Sequence, residues 1–157
     1  MTDTVRLCAV QAAPALFDKA ASLESALKWI DDAAKEKPDV IAFGEAWLPG
    51  YPFFIDSPLS DTWWQAASEL LKNGVRLDGP EIEALCKAAK RADSDIVIGV
   101  NELDPQTEST LYCTMVTIGR EGRVLNRHRK LKPTHHERSV WGDGDAKGLH
   151  PVARNWG

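Results

Sequence analysis

The sequence predicts an α/β layered fold built around a mixed β-sheet. Three observations support this: short apolar runs typical of buried strands, amphipathic helical segments between them, and two longer strand-like segments around a tight turn. Strands that alternate with helices favour parallel pairing, whereas a tight turn favours an antiparallel hairpin. We expect the 157 residues to form a single domain, residues 1–157.

The first half of the chain alternates strands with a helix. Residues 6–12 form a short apolar run, which predicts a buried strand. Apolar side chains recur every three or four residues in 19–35, so this segment is predicted to be an amphipathic helix that ends before Pro38. Residues 39–43 form a second predicted strand, and the glycine- and proline-rich residues 44–58 are predicted to form a loop.

Two more helices are predicted before the sheet resumes. The first covers residues 61–73, where Thr62 and Gln65 occupy the positions of a capping box. The second covers residues 81–91, whose apolar residues share one side of a helix.

The remaining predicted strands are a buried strand and a hairpin. Residues 96–100 form a continuous apolar run, as a buried strand does. Residues 111–118 and 123–130 flank a turn with glycine at both ends, which favours an antiparallel hairpin.

Composition excludes several classes of protein. Hydrophobic residues make up 43% and charged residues 27%, and the net charge of −4 gives no reason to expect a nucleic-acid or membrane partner. No apolar run approaches the roughly 18 residues of a transmembrane helix, and the N-terminus lacks the pattern of a signal peptide. Three widely spaced cysteines do not suggest a disulfide framework, so we expect a soluble cytoplasmic protein.

Glu45 is the first residue with an unusual chemical setting. It follows an apolar strand and opens the segment FGEAWLPGYP, residues 43–52. We expect apolar walls around this carboxylate to disfavour its charged form, as a general base requires. Alternatively, Glu45 only satisfies backbone N–H groups in a Gly/Pro turn.

Lys130 is the second such residue, at the end of a predicted strand. Strand alternation places it on one face with His128 and Lys132, and Arg127 and Arg129 on the other. A lysine at a strand end supplies positive charge where negative charge develops in a transition state. The alternative is a solvated basic edge strand that deters edge-to-edge pairing.

Glu137 has both a structural and a chemical interpretation. Thr134 and Glu137 fit a capping box, so one interpretation is that the glutamate only caps a short helix, with Arg138 as its surface partner.

Together, residues 43–52 and the run HRKLKPTHHERSVWGDGD, residues 128–145, resemble the nitrilase branch of the carbon–nitrogen hydrolase superfamily. The resemblance implies a four-layer α-β-β-α sandwich, of which this chain would supply the N-terminal half. It also implies that Glu45 is the general base, Lys130 the charge stabiliser and proton donor, and Glu137 a supporting carboxylate. A small nitrile would be the substrate, no metal or organic cofactor would be needed, and the full-length protein would form homo-oligomers.

The resemblance also implies a nucleophilic cysteine in a Cys-Trp-Glu-like motif, which residues 1–157 do not contain. Cys8, Cys86 and Cys113 are each interpreted as small buried hydrophobic residues, since free cysteine is commonly buried. We therefore expect a chain truncated before its nucleophile, an incomplete domain that is inactive alone and prone to self-association.

Other functions remain open at this stage. The chain could be a non-catalytic homologue that acts by binding, or a relative of cyanide hydratases, cyanide dihydratases or amidases. A metal module built from the histidines and Cys113 is disfavoured because their spacing fits no metal motif. Trp47 and Tyr51 are candidate substrate-binding residues, although such aromatic residues could equally belong to the core or to subunit contacts.

Overall fold

The computed structural model describes residues 4–154. Five strands form one sheet in the spatial order of the sequence. The strands are β1 (Leu7–Ala9), β2 (Val40–Ala42), β3 (Asp95–Leu103), β4 (Leu111–Gly119) and β5 (Arg123–Arg129). The α-helices are α1 (Lys19–Ala33), α2 (Asp61–Lys72) and α3 (Pro80–Ala92).

The sheet is mixed, as predicted. Strands β1, β2 and β3 pair in parallel, and β3, β4 and β5 pair antiparallel. The predicted hairpin is therefore confirmed, and its ladder is irregular between Thr117 and Ile118. Strands β2 and β5 run in the same direction, because two antiparallel steps separate β3 from β5. Their carboxyl ends consequently lie at the same edge of the sheet.

The core lies between the sheet and two helices. Apolar residues of β2, β3 and β4 pack against α1 and α3, with Ile30, Leu85 and Ile98 all fully buried. The opposite face of the sheet is only partly covered, by a second apolar cluster in which the loop after β2, α2 and Trp141 pack on β4. The rest of this face is open in the described residues, where Leu7 and Met115 are 71% and 44% exposed. The site residues lie on this open side.

One predicted helix cap is wrong. Helix α2 begins at Asp61, and the side chain of Ser60 accepts a hydrogen bond from the backbone N–H of Trp63. Thr62 and Gln65 lie inside the helix, where they cannot form the predicted capping box. Serine caps a helix as well as threonine does. Hydrophobic periodicity therefore does not indicate whether Ser60 or Thr62 is the cap.

The loop after β2 lies directly on β3, and Gly99 permits this approach. The backbone N–H of Leu48 donates to the Gly99 carbonyl, and that of Gly99 donates to the Gly44 carbonyl. A Cβ at position 99 would collide with the backbone of residues 44–46. The turn itself is unusual, since Ala46 has φ of 47°, a left-handed conformation that is costly for a residue with a side chain.

Substituting Gly99 should therefore destabilise the fold at the turn that carries Glu45. We expect Gly99→Ala to lower the free energy of unfolding by about 1–3 kcal/mol, the usual cost of overpacking a tight contact. Gly44→Ala is the matched control, because a Cβ there has no neighbour within 4 Å. Urea denaturation of the two variants should separate them, and equal midpoints would contradict the assigned role of Gly99.

Candidate active site

The Lys130 ammonium lies between two carboxylates. Its Nζ is 2.9 Å from Oε1 of Glu45 and 2.9 Å from Oε2 of Glu137. Glu45 follows β2, Lys130 follows β5, and Glu137 lies in a short 3₁₀ helix, His135–Ser139. The structure thus brings together the three residues that the sequence singled out, although they lie up to 92 positions apart.

The surroundings of Lys130 keep its side chain charged. Burial lowers the pKa of the Lys130 ammonium, but the hydrogen bonds to Glu137 and Glu45 and their negative charges outweigh burial and hold it above its ordinary value. The side chain is 28% exposed. It is therefore a fixed cation with access to the open face, and it is not the freely solvated edge lysine of the alternative interpretation.

Glu137 caps the short helix and also lies against Lys130. Its carboxylate accepts from the Thr134 backbone N–H in the predicted capping box, and also contacts Lys130 and the Tyr51 hydroxyl. Burial raises the pKa of this carboxyl, but these partners outweigh burial and lower the pKa below its usual range. The expected pairing with Arg138 is wrong, since the Arg138 Nε donates to the Pro133 carbonyl instead.

Glu45 uses one carboxylate oxygen for its contacts. Oε1 accepts from Lys130 Nζ and from the Cys113 thiol at 3.5 Å. Within residues 4–154, these contacts are to side chains, which does not support the alternative that Glu45 only satisfies backbone N–H groups. The expected apolar enclosure is also wrong here, because the Glu45 side chain is 51% exposed.

Cys113 is the site residue that the sequence interpretation missed. It is buried, as expected, but it lies beside Glu45, and the Lys130 backbone N–H donates to its carbonyl. Burial, the charge of Glu45 and the hydrogen bond to it raise the pKa of the Cys113 thiol to about 12. The pairing of β4 with β5 was the available signal, since the hairpin register brings Cys113 next to Lys130.

A cavity of about 290 Å³ opens beside these groups. Its lining includes Phe43, Val97, Met115 and His128 together with Glu45, Cys113 and Lys130. The two candidate substrate-binding aromatics lie elsewhere. Trp47 is only 4% exposed, packs on Phe43, and donates its indole N–H to the Ala12 carbonyl, whereas Tyr51 contacts Glu137.

A second charged cluster lies behind the site, on the helix-covered face. Arg129, the neighbour of Lys130, donates from Nε and from a terminal nitrogen to both oxygens of Glu102, which is 1% exposed. Thr114 and Arg127 also donate to this carboxylate. A buried carboxylate is costly without such partners, so these contacts are strongly favoured. They hold the carboxyl end of β5, which Lys130 directly follows, to β3 across β4.

Two features are absent from residues 4–154. No three histidine, cysteine, aspartate or glutamate side chains in that range lie close enough together to hold a metal ion. No helix in that range is long and apolar enough to cross a membrane.

Comparison with known proteins identifies the family. The carbon–nitrogen hydrolase family profile matches residues 6–155, so the chain belongs to this family. It is 48% identical over 153 residues to "Nitrilase 2" from an unknown prokaryotic organism, covering 98% of this chain and 49% of that protein. It is 36% identical to a cyanide hydratase from Armillaria gallica, covering 98% and 42%. The chain thus spans about half the length of these relatives.

A solved structure agrees with the fold. The crystal structure of Nit3 from Saccharomyces cerevisiae, a member of branch 10 of the nitrilase superfamily, superposes with a TM-score of 0.68 at 23% identity. The superposition covers 90% of this chain and 49% of that one. This likeness confirms the α/β fold with its mixed five-stranded sheet as a nitrilase-type arrangement.

The contacts of Cys113 predict how its reactivity responds to its neighbours. Glu45→Gln should lower the pKa of the Cys113 thiol and speed its alkylation, because the thiolate is the reactive form. Lys130→Met should have the opposite effect, because the ammonium favours the thiolate. Alkylation followed by peptide mass spectrometry measures both, with Cys86 in α3 as the internal control. Equal rates for Cys113 in all three proteins would contradict the contacts.

Proposed function

We propose that this chain carries the acid–base half of a nitrilase active site, which hydrolyses a small nitrile to a carboxylic acid and ammonia. The observation that carries the proposal is the Lys130 ammonium held between Glu45 and Glu137 at the edge of a cavity. A carboxylate that acts as general base and a fixed cation are what attack on a carbon–nitrogen bond requires beside a nucleophile.

The proposed chemistry assigns a separate step to each group. A cysteine thiolate attacks the nitrile carbon, a C–S bond forms, and an electron pair of the C≡N bond moves to nitrogen. Lys130 stabilises the charge on that nitrogen and donates a proton to it, giving a thioimidate. Glu45 then takes a proton from water as the hydroxide adds to the same carbon, and both protons of that water pass to nitrogen. The C–N bond breaks, ammonia leaves and a thioester remains. A second water, deprotonated by Glu45, adds to the thioester, the C–S bond breaks to release the carboxylic acid and the thiolate, and the proton on Glu45 passes to Lys130.

The two oxygens of Glu45 suit different tasks. Oε1 is engaged by Lys130 and Cys113, and the side chain as a whole is half-exposed. In the proposed reaction Oε2 therefore accepts the proton from water, and Oε1 fixes the orientation of the carboxylate.

The proposed nucleophile is a cysteine that residues 1–157 do not supply. Cys113 is the thiol that lines the cavity, but a pKa of about 12 keeps it protonated at neutral pH, and it donates its hydrogen bond to Glu45. Cys8 lies in β1 and Cys86 in α3, away from Lys130. We further propose that a longer, cytoplasmic, homo-oligomeric protein completes the site; the half-length match to the relatives supports the longer chain, and the free cysteines suit a reducing compartment.

The 157-residue chain by itself should accordingly show no turnover. Incubation of the purified chain with an aliphatic nitrile, an arylaliphatic nitrile and cyanide, followed by ammonia detection, tests this. Ammonia release at rates typical of enzymes, about 1–1,000 per second, would overturn the assignment of the nucleophile. If the natural gene encodes nothing beyond Gly157 and this chain is inactive, the alternative of a non-catalytic homologue that acts by binding would be favoured.

Turnover by the protein that the natural gene encodes should depend on both charged groups. We expect Glu45→Gln to lower kcat by about 100-fold or more, as loss of a general base does, and Lys130→Met by about 100- to 1,000-fold, as loss of a transition-state charge partner does. Lys132→Met is the matched control and should leave kcat unchanged, because Lys132 is 70% exposed and pairs with Asp143.

The product distribution distinguishes the related reactions. Carboxylic acid with ammonia supports the nitrilase assignment, whereas amide without ammonia points to a hydratase, as in the relative named cyanide hydratase. Hydrolysis of amides alone would indicate an amidase. If Lys130→Met and Lys132→Met were equally active, the proposed role of Lys130 would be wrong.

A further inference from the structure

Asn101 is a buried side chain that contacts both parts of the candidate site. It lies on β3 and is fully buried. Its Nδ2 donates to the Gly50 carbonyl at 2.9 Å, and its Oδ1 accepts from the Trp141 indole N–H at 2.8 Å. Gly50 belongs to the loop that carries Glu45, and Trp141 follows Glu137, so one carboxamide connects the two segments.

The two contacts require a carboxamide. Gly50 presents an acceptor and Trp141 presents a donor, so the side chain between them must supply one of each, in one orientation. An aspartate at position 101 would still accept from Trp141 but would place a carboxylate oxygen against the Gly50 carbonyl. A leucine of similar size would leave both partners buried and unpaired.

The contacts continue from Asn101 to the charged groups. The Trp141 ring packs edge-on against Tyr51, with centroids 5.5 Å apart, and the Tyr51 hydroxyl donates to Glu137 at 2.9 Å. Tyr51 directly follows Gly50, so Asn101 fixes the backbone on one side of Tyr51 and the ring that packs against it. Lys130 Nζ also lies 5.9 Å from the centre of the Trp141 ring.

We propose that Asn101 is a positioning residue, which sets the spacing between the Glu45 loop and the Lys130–Glu137 segment and holds Tyr51 against Glu137. Its effect on catalysis rests on the proposed function. Asn101 does not line the cavity that opens beside Lys130. Its loss should therefore impair the chemical step more than substrate binding, because misplacement of catalytic groups by about 1 Å can cost 100-fold in rate.

Kinetics of the protein that the natural gene encodes test this proposal. We expect Asn101→Asp and Trp141→Phe to lower kcat about tenfold or more while KM changes less than about threefold, as for an interaction realised in the transition state. Trp141→Phe keeps the ring on Tyr51 and removes only the indole donor, so it is the variant least prone to misfolding. Asn126→Asp is the control, because Asn126 donates to the Gly148 carbonyl outside the site.

A spectroscopic measurement tests the connection without turnover. In an indole ¹H–¹⁵N spectrum, the N–H of Trp141, assigned through Trp141→Phe, should be protected from hydrogen exchange. Protection should persist in Asn101→Asp, which keeps an acceptor, and disappear in Asn101→Leu. An unprotected Trp141 in the unchanged protein would overturn the proposal. So would Asn101→Asp and Trp141→Phe variants that retain full kcat.

The two readouts separate the failure of this proposal from the failure of the proposed function. If the unchanged protein hydrolyses no nitrile but the indole signals behave as expected, the function is wrong and the Asn101 connection stands. If nitriles are hydrolysed and the Asn101 variants match Asn126→Asp in kcat, the positioning role is wrong and the function stands.

Discussion

The contact of the Lys130 ammonium with Glu45 and Glu137 is the interaction on which the rest of the site depends. Two carboxylates that approach the same point repel each other unless a cation lies between them. The sheet makes the arrangement possible, because β2 and β5 run in the same direction and end at the same edge. Glu45 and Lys130 follow those two ends, so their proximity is a consequence of strand order.

The charged end of β5 is divided between two faces of the sheet. Arg129 pairs with buried Glu102 on the helix-covered face, whereas Lys130 faces Glu45 on the open side. A run of basic residues that resembles a solvated edge strand thus places one residue in a buried ion pair and its neighbour in the candidate site. The buried pair holds β5 in place across β4. It therefore fixes the backbone from which the Lys130 side chain extends.

Much of this arrangement could be predicted from the sequence, and the rest depends on contacts that periodicity does not encode. Element order, the hairpin and the clustering of Glu45, Lys130 and Glu137 follow from strand patterns and motif resemblance. The place of Cys113 depends on hairpin register, and that of Asn101 on how two loops fold back onto β3. The half-exposed carboxylate of Glu45 likewise reflects packing that no local pattern specifies.

The most direct test of the central claim is to locate the covalent intermediate. The Glu45→Gln variant of the naturally encoded protein should add to a nitrile but fail to complete hydrolysis, so an adduct should accumulate. Peptide mass spectrometry of this protein after exposure to the nitrile would locate it. The proposed roles of Glu45 and Lys130 predict an adduct on a cysteine outside residues 1–157. An adduct on Cys113, or an active Glu45→Gln variant that forms none, would contradict them.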